Sequence, residues 1–91
     1  MTHHFSMLAL RNQTSTVRLG QSVAKKVCKG AVGRNYMRRY CREWVRLNES
    51  AFLGFDVVMI HRRQFRHEDL PEIRLELQRL VEFAWQCQKL S

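Results

Sequence analysis

Residues 31–46 of this chain read AVGRNYMRRYCREWVR, and they divide cleanly by residue type when they are drawn as a helix. At about 100° per residue, the basic side chains fall on one side of the helix and the aromatic and aliphatic side chains on the other. The polar side holds Arg34, Asn35, Arg38, Arg39, Arg42 and Arg46. The apolar side holds Tyr36, Met37, Tyr40, Cys41, Trp44 and Leu47. This pattern predicts an amphipathic helix over about residues 34–48, with its apolar side packed on a core.

The charge of the chain is concentrated in its first half. Residues 1–48 include ten basic residues and one acidic residue, whereas the remainder includes six basic and seven acidic residues. Like charges four residues apart destabilise a helix, so a side lined with arginines favours an anionic partner. The alternative is a solvated helix face, but such faces usually mix both signs of charge. The net charge of +8 therefore indicates a localised nucleic-acid interface.

We predict that the basic side of this helix and the lysines before it bind RNA. The residues assigned to this interface are Lys25, Lys26, Lys29, Arg34, Asn35, Arg38, Arg39, Arg42 and Arg46. Arginine suits phosphate because its planar guanidinium group donates two parallel hydrogen bonds. Two roles stay open for Asn35: a hydrogen bond to a ribose or base edge, or a brace for the preceding loop.

The order of predicted elements is β-β-α-β-α. Residues 5–10 and 17–24 are predicted strands, joined by a polar hairpin turn at residues 11–16. Residues 55–60 form a third strand with a nearly continuous apolar run, and a final helix begins near Pro71. The fold class is therefore α+β, a small mixed three-stranded sheet packed with two helices. The second and third strands are parallel if they are neighbours.

Three segments resemble the protein component of bacterial ribonuclease P. They read SVAKK at residues 22–26, AVGRNYMRRYCRE at residues 31–43, and DVVMIHR at residues 56–62. The family signature is a lysine pair that closes a strand, followed on a helix by Arg-Asn-x-x-Lys/Arg-Arg-x-x-Arg. Every position of the helical signature is filled, by Arg34, Asn35, Arg38, Arg39 and Arg42.

The resemblance implies the protein subunit of a ribonucleoprotein endoribonuclease, in which a catalytic RNA with bound Mg²⁺ removes the 5′ leader from precursor tRNA. The partners it implies are the ribonuclease P RNA and precursor tRNA. It also implies a left-handed strand–helix–strand crossover and a cleft across the sheet for the leader. Leu8 and Arg62 are the residues we choose as leader contacts. The chain is interpreted as one RNA-binding domain over residues 1–91, lacking the amino-terminal helix that family members usually carry.

The sequence is also compatible with two other functions. The alternatives are a stand-alone basic RNA-binding module of the ribosomal-protein type, or a truncated paralogue unable to bind leader. The sequence shows no nucleophile–base pair and no metal-ligand spacing, so we assign no catalytic residue, no metal ligand and no cofactor to the protein itself. Three widely spaced cysteines and the absence of a signal peptide indicate the cytoplasm. We expect no membrane association and a monomer.

Overall fold

The computed structural model describes residues 2–89, and its α+β architecture confirms the predicted fold class. Three strands and two long helices follow the predicted order, and a short helix that the sequence analysis missed lies between the first long helix and the third strand. A single 3₁₀ turn, His67–Asp69, precedes the last helix. The elements are β1 (Phe5–Arg11), β2 (Arg18–Val23), α1 (Ala31–Leu47), α2 (Glu49–Phe52), β3 (Phe55–His61) and α3 (Leu70–Lys89).

The predicted hairpin between the first two strands is wrong. The sheet order is β1-β3-β2, with β3 in the centre, antiparallel to β1 and parallel to β2. The connection from β1 to β2 passes around the start of β3 and is tied to Gly54. The Asn12 N–H donates to the Gly54 carbonyl, and the Gly54 N–H donates to the Thr16 carbonyl, both at 3.0 Å. β1 and β2 are therefore separated by one strand, β3, which is the most apolar of the three.

One face of the sheet carries the core. Inward side chains of all three strands, such as Phe5, Val23 and Met59, are buried with residues of the long helices α1 and α3. The opposite face, which includes Leu8, Val58 and other alternate residues, is exposed to solvent. We call this second face the open sheet face. It consists of Ser6, Leu8 and Leu10 on β1, Arg18, Gly20 and Ser22 on β2, and Asp56, Val58 and Ile60 on β3.

The buried side of α1 is rotated relative to the prediction. Met37, Cys41 and Val45, each four residues apart, are the buried residues of this helix. Leu47 was predicted to face the core, but it is 69% exposed. Because this row packs on the core, the contact side of the helix lies roughly 70° closer to the arginines than predicted, and Leu47 is left outside it.

The unit β2–α1–β3 joins two neighbouring parallel strands, as predicted. The left-handed crossover implied by the resemblance stays a prediction. Within residues 2–89, none of the helices combines the length and the apolar character needed to cross a bilayer.

Candidate RNA interface

The rotation of α1 divides its polar residues into two rows. Asn35, Arg39, Arg42 and Arg46 are exposed and form what we call the outer row. Arg34 and Arg38 are half-buried beside the core and form the inner row. All six were predicted to contact RNA as one surface. The two rows meet different surroundings, so their members differ in what they are free to do.

Arg39 and Arg42 are the unpaired cations of the outer row. Among residues 2–89, no carboxylate lies within ion-pair distance of either guanidinium group. Two exposed guanidinium groups about one turn apart, without internal counterions, can each donate hydrogen bonds to phosphate oxygens. This pair is the part of the helix best placed to bind an external polyanion.

Arg46 differs because it has a partner on the same helix. Its Nε donates to both carboxylate oxygens of Glu43, at 3.1 Å each, and its Nη2 also contacts this carboxylate. The side-chain hydrogen bond is the main reason that the pKa of Arg46 is raised and the pKa of Glu43 is lowered. Both groups are exposed, so the pair is weak and an RNA phosphate has only a weak competitor.

Arg34 of the inner row braces the loop that precedes the helix. Its Nη1 donates to the carbonyl of Cys28 at 3.0 Å and to the carbonyl of Lys29 at 2.7 Å. A brace for this loop was one of the two roles left open for Asn35, and Arg34 provides that brace. Since a guanidinium group has five N–H donors, Arg34 retains donors for a phosphate while holding Lys29 beside the helix.

A basic groove lies where β2 and β3 end. The two strands are parallel neighbours, so the residues that follow them meet at one edge of the sheet. The groove has a volume of about 330 Å³ and is lined by residues that include Lys26, Arg62, Arg63, Ser22 and Ile60. Lys26 and Arg62 were predicted as separate contacts, and Arg63 was not predicted as a site residue. The sequence signal for this groove is a basic pair after each of two parallel strands, Lys25-Lys26 after β2 and Arg62-Arg63 after β3.

His61 borders the basic groove but contributes no positive charge to it. It directly precedes Arg62 and Arg63 in the chain, but its ring is buried between Phe5 and Phe65. Its Nε2 lies 2.8 Å from the Gln21 side-chain oxygen. Burial, and then the positive charge of Arg38, lower the pKa of His61 to about 4. The imidazole is therefore neutral at pH 7 and adds no charge to the surface.

The open sheet face is apolar in its middle and polar at both ends. Leu8 lies opposite Val58, and Val58 lies opposite Gly20, which leaves the centre of the face uncovered. Leu8 is 53% exposed, which is compatible with the contact role predicted for it. At one end of the face lies the basic groove. At the other end, Arg18 donates two hydrogen bonds of 2.7 Å to Asp56.

The Arg18–Asp56 pair fixes the polar end of this face. Asn12 adds a hydrogen bond of 3.1 Å to the same carboxylate from the loop between β1 and β2. These bonds, with the Arg18 bond the stronger influence, lower the pKa of Asp56. Asp56, the first residue of the segment DVVMIHR, therefore joins β2, β3 and the loop between β1 and β2.

Comparison with known proteins identifies the family. The family model described as Ribonuclease P matches residues 1–85. The chain is 38% identical over 87 residues to the ribonuclease P protein component of Chromobacterium violaceum. This alignment covers 96% of this chain and 72% of that protein. It is 34% identical over 90 residues to the corresponding protein of Ralstonia pickettii, and that alignment covers 91% of this chain and 64% of that protein.

A solved structure agrees with these sequence relatives. The RNase P protein from Thermotoga maritima, in complex with 1-(4-fluorophenyl)-2-thiourea, superposes with a TM-score of 0.73 at 30% identity. The match covers 89% of this chain and 79% of that one. The chain spans between 51% and 72% of the length of the curated relatives compared. The resemblance seen in the sequence is confirmed, and this chain belongs to the ribonuclease P protein family.

Proposed function

We propose that this chain is the non-catalytic protein subunit of ribonuclease P, the ribonucleoprotein endoribonuclease that removes the 5′ leader from precursor tRNA. It acts as one RNA-binding domain, a monomer in the cytoplasm, and the catalytic RNA carries out cleavage. Mg²⁺ belongs to the active site of that RNA in this proposal. The observation that carries the proposal is the outer row, in which the exposed Arg39 and Arg42 have no counterion among the described residues.

The catalytic RNA is proposed to lie along α1. Phosphate contacts fix the position of an RNA and supply most of the affinity, without reading its sequence. The outer row supplies such contacts, and Arg34 extends the surface to Lys29 through its bond to the Lys29 carbonyl. Lys25 and Lys26 continue the positive charge from there toward the basic groove.

The 5′ leader of precursor tRNA is proposed to lie on the open sheet face. A single-stranded nucleic acid needs an apolar surface for its bases and positive charge for its backbone. Leu8, Val58 and Ile60 offer the apolar surface, and Lys26 and Arg62 offer the charge at the adjoining groove. Leu8 and Arg62 therefore remain the proposed leader contacts. Aliphatic side chains stack less strongly than aromatic ones, so the groove cations are expected to supply much of the affinity.

A paired substitution on the outer row tests the proposal. Arg39→Ala combined with Arg42→Ala should weaken binding to ribonuclease P RNA and leave thermal stability nearly unchanged, because both side chains are exposed. In a salt series, the loss of two phosphate contacts should reduce the log–log slope by about 1.5. Cleavage of precursor tRNA by the reconstituted holoenzyme should become dependent on higher protein concentration.

The matched control is Arg74→Ala combined with Arg79→Ala, which removes the same charge from exposed positions of α3. This control should retain the affinity and the salt slope. If both pairs weaken binding equally, only net charge matters and the proposed interface on α1 is wrong. If the unmodified chain binds an unrelated RNA of equal length as tightly, the chain is a general RNA-binding module instead.

A further inference from the structure

Three potential metal ligands lie together at the amino-terminal end of α3. His3 and His4 directly precede β1, and Glu72 is in the first turn of α3. One donor atom from each of these residues lies within 4.8 Å of the other two. Glu72 is far from the two adjacent histidines in the sequence, so no spacing rule reveals the set, and no metal ligand was predicted here.

His4 is held in a fixed orientation by a neighbouring carboxylate. Its side chain is only 8% exposed, and its Nδ1 lies 2.5 Å from Oε2 of Glu76. Oε1 of Glu76 accepts the backbone N–H of His4 at 2.7 Å. Metal-binding histidines commonly use one ring nitrogen for the ion and donate the other N–H to a carboxylate, which orients the ring. Glu76 occupies one ring nitrogen in this way, which leaves the other for a metal ion.

We propose that His3, His4 and Glu72 bind one divalent transition-metal ion, with Zn²⁺ the best match. Two imidazoles and one carboxylate form a donor set that zinc uses with a fourth position for water. Mg²⁺ and Ca²⁺ favour oxygen donors throughout and fit this set poorly. The ion links the residues before β1 to α3.

The donor separations are compatible with a modest adjustment of the exposed ligands. Zinc bonds of about 2.0–2.2 Å in a tetrahedron require donors roughly 3.4 Å apart, so separations of up to 4.8 Å must shorten. His3 and Glu72 are exposed and free to move, whereas His4 is fixed by Glu76. The rigid ligand defines the site, and the two mobile ligands close on the ion.

The position of the site gives the ion a defined effect on the surface. His3 lines the basic groove together with Lys26 and Arg62, and His4 lines an adjoining depression with the same two cations. A bound divalent ion therefore adds positive charge beside the groove. This role is independent of the Mg²⁺ that serves the catalytic RNA.

The test is zinc binding to the full chain without an added histidine tag. Calorimetry should show one Zn²⁺ per chain, and thermal unfolding should move to higher temperature with zinc because the ion binds the folded state. Co²⁺ in place of zinc should give visible d–d absorption without a thiolate charge-transfer band, since the donors are nitrogen and oxygen. His3→Gln and Glu72→Gln should each weaken zinc binding by at least about tenfold.

The controls separate this site from adventitious binding. His67→Gln removes an exposed histidine from another part of the surface, and Cys87→Ser removes the least buried thiol; both should bind zinc unchanged. His4→Gln is avoided as the primary test because it also leaves Glu76 buried without its partner. Unchanged affinity in both His3→Gln and Glu72→Gln overturns the proposal. A thiolate band that Cys87→Ser abolishes overturns it as well.

Discussion

The inner and outer rows of α1 come from one repeated arrangement of arginines, yet they have different structural roles. Arg34 donates two hydrogen bonds to backbone carbonyls of the preceding loop, while Arg39 and Arg42 have no ion-pair partner among residues 2–89. The difference arises because Met37 and Cys41 are the side chains of α1 that pack into the core, which places Arg34 next to the core and Arg39 and Arg42 away from it. An arginine pattern therefore identifies a candidate interface, and packing determines which of its members also support the fold.

The largest expected effect tests the direction of that packing. Met37→Ala removes a fully buried side chain and should lower the free energy of unfolding by about 2–5 kcal/mol. Leu47→Ala, at an exposed position of the same helix, should change it by less than about 0.5 kcal/mol. Chemical denaturation measures both. A large loss of unfolding free energy in Leu47→Ala would mean that α1 packs in the orientation predicted from the sequence, and the distinction between the two rows would then be wrong.

The next effect concerns the inner row and the buried imidazole beside it. The pKa of His61 is about 4 in the folded protein against an ordinary 6.5, because burial and the charge of Arg38 disfavour the protonated ring. A group with a lowered folded pKa contributes stability above its ordinary pKa and loses it as the pH falls. Stability should therefore decline between pH 6.5 and 4, by up to about 1.4 kcal/mol per pH unit.

The variant His61→Gln should remove most of this decline, since glutamine does not titrate in the range. His67→Gln is the control, because His67 is exposed and should leave the decline intact. Denaturation at several pH values measures both variants. If His61→Gln keeps the full decline, another group causes it and Arg38 has no such influence.

A smaller effect distinguishes bracing from simple exposure. Arg34→Ala removes the donors to the Cys28 and Lys29 carbonyls and should cost about 1 kcal/mol of stability, in addition to any loss of RNA affinity. Asn35→Ala, the next residue and a member of the outer row, should leave stability nearly unchanged. Thermal and chemical denaturation provide the measurement. The opposite ranking would return the bracing role to Asn35.

The smallest effect lies within the outer row. Glu43→Gln releases Arg46 from its partner and should raise RNA affinity by about two- to fivefold, with little change in stability. The matched control is Glu82→Gln, which removes an exposed acid from α3. An equal gain in both variants would mean that net charge, and not the release of Arg46, sets the affinity.

The sequence predicted those features that depend on local periodicity. Helix α1 and the alternation along β1 follow from repeats of 3.6 and 2 residues, which are visible within one segment. Leu8 and the buried Phe5 are an odd number of residues apart in β1 and therefore lie on opposite faces of the sheet. The helical signature further identified the family, because five of its positions are set by spacing alone.

Features that depend on which distant segments become neighbours could not be predicted from local periodicity. The central place of β3, which overturned the predicted hairpin, is decided by competition among strands for burial. The basic groove exists only because that order brings Lys26 and Arg62 to one edge. The cluster of His3 and Glu72 likewise needs the residues before β1 to meet the start of α3.

The central position of β3 also sets the order in which the sheet can be made. Each β1–β3 pair joins residues 44 to 56 apart in the chain, and each β2–β3 pair joins residues 38 apart. No strand therefore finds its partner until residues 55–61 have been synthesised. Pairings of such long range also make folding slow relative to the formation of a local helix. During synthesis, the arginine-rich α1 is therefore complete in the chain before any two strands of the sheet on which it will rest can pair.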